Sequence, residues 1–192
     1  AIVDARVYDA VVERLAAGAA RLTVGPAENP AHYMGPVINA GAKKTILDYI
    51  EQGKKEGRLI AGGGAVAGLD GHFIQPTIIA DIEPTAVIFR EEIFGPVLAV
   101  TKARDFEHGL ALANDSEYGL TGAVYSSDPA RLRMAEEEFF VGNLYLNRKC
   151  TGAMVGCHPF GGFHMSGTDS KAGGPDYLLQ FLQAKSIAER TA

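Results

Sequence analysis

The 192-residue chain carries two cysteines, Cys150 and Cys157, without the spacing of a disulfide framework, so no disulfide scaffold is expected and a reducing, cytoplasmic setting is. It is short of positive charge: 18 lysines and arginines face 23 aspartates and glutamates, a formal net charge of -5. Nucleic acid and anionic membranes both call for clustered basic residues, so neither is an expected partner. Long apolar runs are missing too. The stretch at residues 59–69 is broken by Gly62, Gly63, Gly64 and Gly68, and falls short of the roughly 20 apolar residues that span a bilayer. At Ala1-Ile2-Val3-Asp4 there is neither an initiator methionine nor the basic-then-apolar order of a signal peptide, and the chain is expected to be a piece of a longer one. The histidines have no matching carboxylates or cysteines at zinc-ligand spacing, so no metal is predicted.

What is present is a folding composition. Hydrophobic residues make up 47% and charged residues 21%, which lies away from the disordered corner, and the length suits one domain, 1–192. Helical and extended patterns alternate. Val11, Val12, Leu15, Ala19 and Leu22 recur at helical spacing until Gly25-Pro26 stops them. Asn39 is placed to cap a second helix with Ile46, Tyr49 and Ile50 on one face, solvated lysines on the other and Gly57 closing it. Short strands are predicted at residues 59–61, around 73–79, at 97–101, 122–126 and 141–146, with helices at about 105–114 and, behind Asp128-Pro129, at 131–138. Strand, helix, strand is the unit of a parallel sheet, so the fold class is α/β, an open twisted, mostly parallel sheet with flanking helices.

Several local patterns admit a chemical reading beside a plainer one. Cys150 with His158, helped by Arg148 and Lys149, has the makings of a thiolate nucleophile; the plainer expectation, adopted here, makes both cysteines small buried hydrophobes, because neither stands at a predicted helix amino terminus. Gly62 to Gly64 lack the lysine and hydroxyl residue of a phosphate loop, so they are expected to be turn glycines, as are those of Phe160-Gly161-Gly162-Phe163 and Gly173-Gly174-Pro175.

Three segments point further. Glu91-Glu92-Ile93-Phe94-Gly95-Pro96-Val97 resembles the acidic-aromatic signature of the aldehyde dehydrogenase superfamily. Gly35-Pro36-Val37-Ile38, Pro76-Thr77-Ile78 and Gly142-Asn143-Leu144-Tyr145-Leu146-Asn147 are similar to its other landmarks, in the same order. The run from Asn147 through Gly156 to Phe163, with Ser166-Gly167-Thr168-Asp169 beyond it, resembles the substrate-anchoring loop of 1-pyrroline-5-carboxylate dehydrogenases.

The resemblance implies oxidation of glutamate semialdehyde to glutamate with NAD as cofactor. Relatives form a thiohemiacetal on a cysteine, pass hydride to NAD and hydrolyse the thioester with a glutamate base. Nucleophile, base and dinucleotide fold match positions upstream of Ala1, and Cys150 and Cys157 do not match the nucleophile, so no catalytic residue is expected within the 192 positions and the chain alone is expected to be inactive. Glu92 matches the carboxylate that accepts from the nicotinamide ribose hydroxyls, and Phe94 the aromatic beside that ribose; Glu91 is left as a solvated acid. Gly152 and Ala153 match the loop whose N–H groups hold the substrate α-carboxylate, with Phe160 flanking its methylene chain. Residues 183–189 resemble the last strand through which relatives pair subunits, which implies a homo-oligomer of the intact enzyme. Two rival readings are a dehydrogenase for another semialdehyde, which would keep Glu92 and Phe94 without the anchor loop, and a non-catalytic binding or assembly module.

Overall fold

A computed structural model describes residues 1–154, 156–158, 161–167, 174 and 177–191. They fall into two compact units, 1–113 and 114–192.

The first unit runs β1 (Ile2–Asp4), α1 (Tyr8–Ala19), α2 (Ala40–Glu56), β2 (Arg58–Ala61), β3 (Thr77–Ala80), α3 (Val87–Arg90), β4 (Val97–Ala99), β5 (Thr101–Ala103) and all but the last residue of α4 (Phe106–Asn114). All four residues of β3 are buried, as a strand covered on both faces must be. Its alternation divides the core: Ile78 and Ala80 join Tyr8 and Val12 of α1, while Ile79 packs with Ile82 and Ile88. The chain enters α2 through Asn39, whose side-chain oxygen accepts from the Ala42 amide at 2.8 Å, as its capping chemistry predicts.

The run expected as one strand at 97–101 is divided at Val100. Its first part pairs with β3 in parallel and its second part, β5, with β1 in parallel. At the break the Val100 amide donates to the Ile79 carbonyl, and its own carbonyl receives the Ile82 amide and the Tyr8 hydroxyl. The extended segment thus passes from the three-stranded sheet of β2, β3 and β4 to the two-stranded sheet of β1 and β5. β2 joins β3 antiparallel, so three of the four strand pairings among the described residues are parallel.

The second unit contains β6 (Thr121–Val124), α5 (Pro129–Glu138), β7 (Asn143–Leu146) and two 3-10 turns, His164–Ser166 and Tyr177–Phe181. β6 and β7 pair in parallel across α5, the expected strand–helix–strand unit. Asp128 caps α5 by accepting from Ala130, with Pro129 in the first turn. The strand–helix–strand unit predicted around α4 is different: β5 takes β1 as its ladder partner, and β6 takes β7. Backbones meet closely here. A side chain on Gly142 would collide with the Gly161 carbonyl, and one on Gly162 with that of Gly119, so the bends predicted at the Gly161-Gly162 pair are also packing requirements. Among the described residues, no helix is long and apolar enough to cross a membrane.

Candidate functional site

The acidic-aromatic segment leaves α3 and turns into β4. It borders a cavity of about 280 Å³ whose lining includes Ile88, Glu91, Glu92, Phe94 and Gly95. Glu92 is exposed and its carboxylate has no hydrogen-bond or ion-pair partner among the described residues. Phe94 is 84% exposed and sits at φ 56°, a left-handed conformation that is costly for a bulky residue and must be imposed by its surroundings. The next residue shows part of that surrounding: Gly95 lies so close to Ile46 of α2 that an added Cβ would stand 2.7 Å from both Cδ1 and Cγ1 of that side chain. An aromatic face and an uncommitted carboxylate are therefore presented together beside an open cavity.

The segment is secured at its beginning as well. Glu56, half-buried in the last turn of α2, accepts from the amides of Val87 and Ile88 at 3.0 and 3.2 Å and from Gln52 Nε2 at 2.7 Å. Burial pushes the Glu56 carboxyl pKa up, but the hydrogen bonds from Gln52, Ile88 and Val87 outweigh it and hold the pKa below the ordinary value. Glu91, expected as a solvated acid, is exposed yet engaged, accepting a 2.6 Å hydrogen bond from the Tyr49 hydroxyl. Tyr49, Gln52 and Glu56 were not picked out as functional from the sequence. One signal was available for Glu56: a carboxylate in the last turn of a helix opposes the macrodipole, which favours a partner elsewhere.

In the second unit the expected anchor loop leaves β7 through Asn147, at φ 55°. Its side chain clips onto Ser126, Oδ1 accepting from the amide at 2.9 Å and Nδ2 donating to the carbonyl at 3.0 Å. Arg148 then lies over the Tyr145 ring and donates to the Thr151 carbonyl. Gly152 follows at φ 108°, and the N–H groups of Gly152 and Ala153 donate to no acceptor among the described residues. Two adjacent amides without an acceptor among the described residues, at a left-handed glycine, are what an anion-holding loop offers. Phe160 lies outside the described residues.

The cysteines depart from expectation. Cys150 and Cys157 are exposed thiols rather than small buried hydrophobes, because they stand on this loop instead of a packed element. The His158 Nδ1 is already taken, accepting from the Met154 amide at 2.9 Å. Residues 183–189 are exposed and pair with no strand among the described residues.

Comparison with known proteins places these features in context. The sequence model of the aldehyde dehydrogenase family matches residues 1–187. Among curated proteins, 1-pyrroline-5-carboxylate dehydrogenase 1 of Halalkalibacterium halodurans is 59% identical over 98% of the chain and 36% of its own length, and 1-pyrroline-5-carboxylate dehydrogenase of Bacillus subtilis is 56% identical over the same shares. Among solved structures, 1-pyrroline-5-carboxylate dehydrogenase from Thermus with bound NAD matches with a TM-score of 0.93 at 51% identity, covering 99% of the chain and 36% of the other. The chain thus spans about a third of the length of these relatives.

Proposed function

The chain belongs to the aldehyde dehydrogenase family, and from that membership we propose that it is part of an enzyme oxidising glutamate semialdehyde, the open form of 1-pyrroline-5-carboxylate, to glutamate. In the overall reaction a hydride leaves the aldehyde carbon, water supplies the second carboxylate oxygen and protons pass to solvent. NAD, when bound, accepts the hydride. The observation that carries the reading is the Glu92–Phe94 turn: an exposed carboxylate without a partner among the described residues and an exposed aromatic held at positive φ beside a cavity. Two carboxylate oxygens suit the vicinal hydroxyls of a ribose, and the aromatic face suits the sugar's apolar side.

Recognition of the substrate's far end falls to the loop after Asn147. The amides of Gly152 and Ala153, which donate to no acceptor among the described residues, are assigned the α-carboxylate, and small residues there let backbone approach an anion. Phe160 is assigned the flank of the methylene chain. Cys150 and Cys157, on that same loop, are placed at the carboxylate end of the substrate and take no part in attack on the aldehyde; the nucleophile and base belong to other parts of the full-length protein. The 192 residues form a single functional segment of the catalytic domain, working in the reducing cytoplasm in which two exposed free thiols persist, within a homo-oligomer.

Glu92→Gln in the full-length protein tests the cofactor assignment. It replaces a charge-assisted hydrogen bond by a neutral one and is expected to weaken NAD binding by about 1–3 kcal/mol in a titration. NAD affinity equal to that of the unsubstituted protein would remove Glu92 from the site.

A further inference from the structure

We infer that Tyr49 is a positioning residue for the cofactor, acting through Glu91 to aim Glu92; the inference rests on the assignment of Glu92 and Phe94 to the cofactor edge. Four residues of α2 meet the segment from 87 to 95 in register and in opposite chain directions. Ile46 lies under Gly95, Tyr49 donates to Glu91, Gly53 lies under Ile88, and Glu56 accepts from the Ile88 and Val87 amides. The steps of three, four and three residues between them trace one stripe of a helix surface. The whole segment is laid along α2, with an apolar contact and a polar one alternating.

The Tyr49 contact does something the others do not. Glu91 has extended backbone, φ -104° and ψ 146°, and neighbouring side chains on extended backbone project to opposite sides. Holding the Glu91 carboxylate onto α2 therefore turns the side chain of Glu92 away from it, toward the exposed face where Phe94 also stands. Without that bond the two adjacent glutamates are chemically equivalent, and a rotation of the segment exchanges their roles. Ile46 and Glu56 fix where the segment lies; Tyr49 fixes which glutamate faces outward.

The test uses the full-length protein and NAD titration, with kinetics on glutamate semialdehyde alongside. Tyr49→Phe keeps the ring in its packing and removes the hydroxyl; it is expected to raise the NAD Kd about 3- to 10-fold, the loss of one hydrogen bond to a carboxylate at a partly exposed site, and to leave the aldehyde KM within about 2-fold. Glu91→Ala should give the same loss, and the Tyr49→Phe, Glu91→Ala double variant no more than either. Glu91→Gln keeps a carbonyl oxygen for the hydroxyl and should retain most of the affinity. Should Tyr49→Phe fail to fold by circular dichroism, Glu91→Ala at its exposed position carries the test. Native NAD affinity in Tyr49→Phe together with weakened binding in Glu92→Gln overturns the inference and leaves the cofactor assignment standing. Additive losses, or an equal rise in aldehyde KM, overturn it as well. Native affinity in Glu92→Gln overturns the assignment beneath it, whatever Tyr49→Phe does.

Discussion

Adding one methyl group at Gly95 and at Gly18 should move stability in opposite directions. Ile46 is 1% exposed and packed with Ile50 and Ile74, so it has no room to withdraw. An alanine Cβ at position 95 would stand 2.7 Å from Ile46 Cδ1, 2.7 Å from Cγ1 and 2.8 Å from Cγ2. Carbon pairs prefer about 3.5–4.0 Å, and a rotation relieving one of these contacts presses another. Overpacking of this kind costs about 1–3 kcal/mol. Gly18, within α1, has nothing within 4 Å of the same added atom. There the gain in helix propensity and the loss of unfolded-state freedom should stabilise by about 0.4–1 kcal/mol. The assay is urea unfolding of the chain followed by far-ultraviolet circular dichroism, since the sequence has no tryptophan to report by fluorescence. Ile46→Val supplies the control: it removes Cδ1, costs about 0.5–1.5 kcal/mol alone, and should partly relieve Gly95→Ala, so that the double variant is more stable than the sum predicts. A Gly95→Ala chain as stable as the parent, or strict additivity with Ile46→Val, would refute the packing argument.

Other outcomes follow from single contacts. Asn147→Ala deletes both hydrogen bonds to Ser126 and leaves alanine at φ 55°, so it should cost about 1–3 kcal/mol and raise the full-length protein's KM for glutamate semialdehyde while NAD binding stays constant; a rise in NAD Kd instead would contradict the assignment of this loop to the substrate. Gly152→Val crowds a left-handed position where backbone must approach the α-carboxylate, and should raise KM for glutamate semialdehyde far more than for a simple aliphatic aldehyde, with equal losses on both counting against the anchor. The lowered pKa of Glu56 means that the folded chain binds fewer protons there than the unfolded one; its contribution is complete above the ordinary glutamate range and fades as pH falls through the lowered native value. Urea midpoints measured from neutral to acid pH should therefore drop less steeply in Glu56→Gln than in the parent, and identical slopes would remove Glu56 from the acid response.

Where the determinants are local, the sequence made them legible. Asn39 and the Asp128-Pro129 pair announce the starts of α2 and α5 because capping needs only residues two or three positions away. The parallel β6–α5–β7 unit was readable for the same reason. The partner change at Val100 was not, since one apolar run cannot show that its halves pair with strands nearly a hundred residues and about twenty residues earlier. α3 escaped because four residues show no period. Of the residues proposed for the site, Glu92, Phe94, Gly152 and Ala153 are singled out by family resemblance alone, whereas Tyr49 was hidden: its bond to Glu91 spans 42 residues, and a tyrosine on an amphipathic helix looks like core. The exposed cysteines were misjudged because composition speaks to a residue type's average burial and not to a particular loop.

The most direct measurement compares kcat/KM of the full-length protein for glutamate semialdehyde and for 4-aminobutanal, which is the same molecule without its α-carboxylate, with NAD reduction followed by absorbance. If the Gly152–Ala153 amides hold that carboxylate, glutamate semialdehyde should be preferred by about 100-fold or more, as two hydrogen bonds to a charged group left unmade would require. Equal kcat/KM for the two aldehydes, or a preference for 4-aminobutanal, would contradict the proposed function.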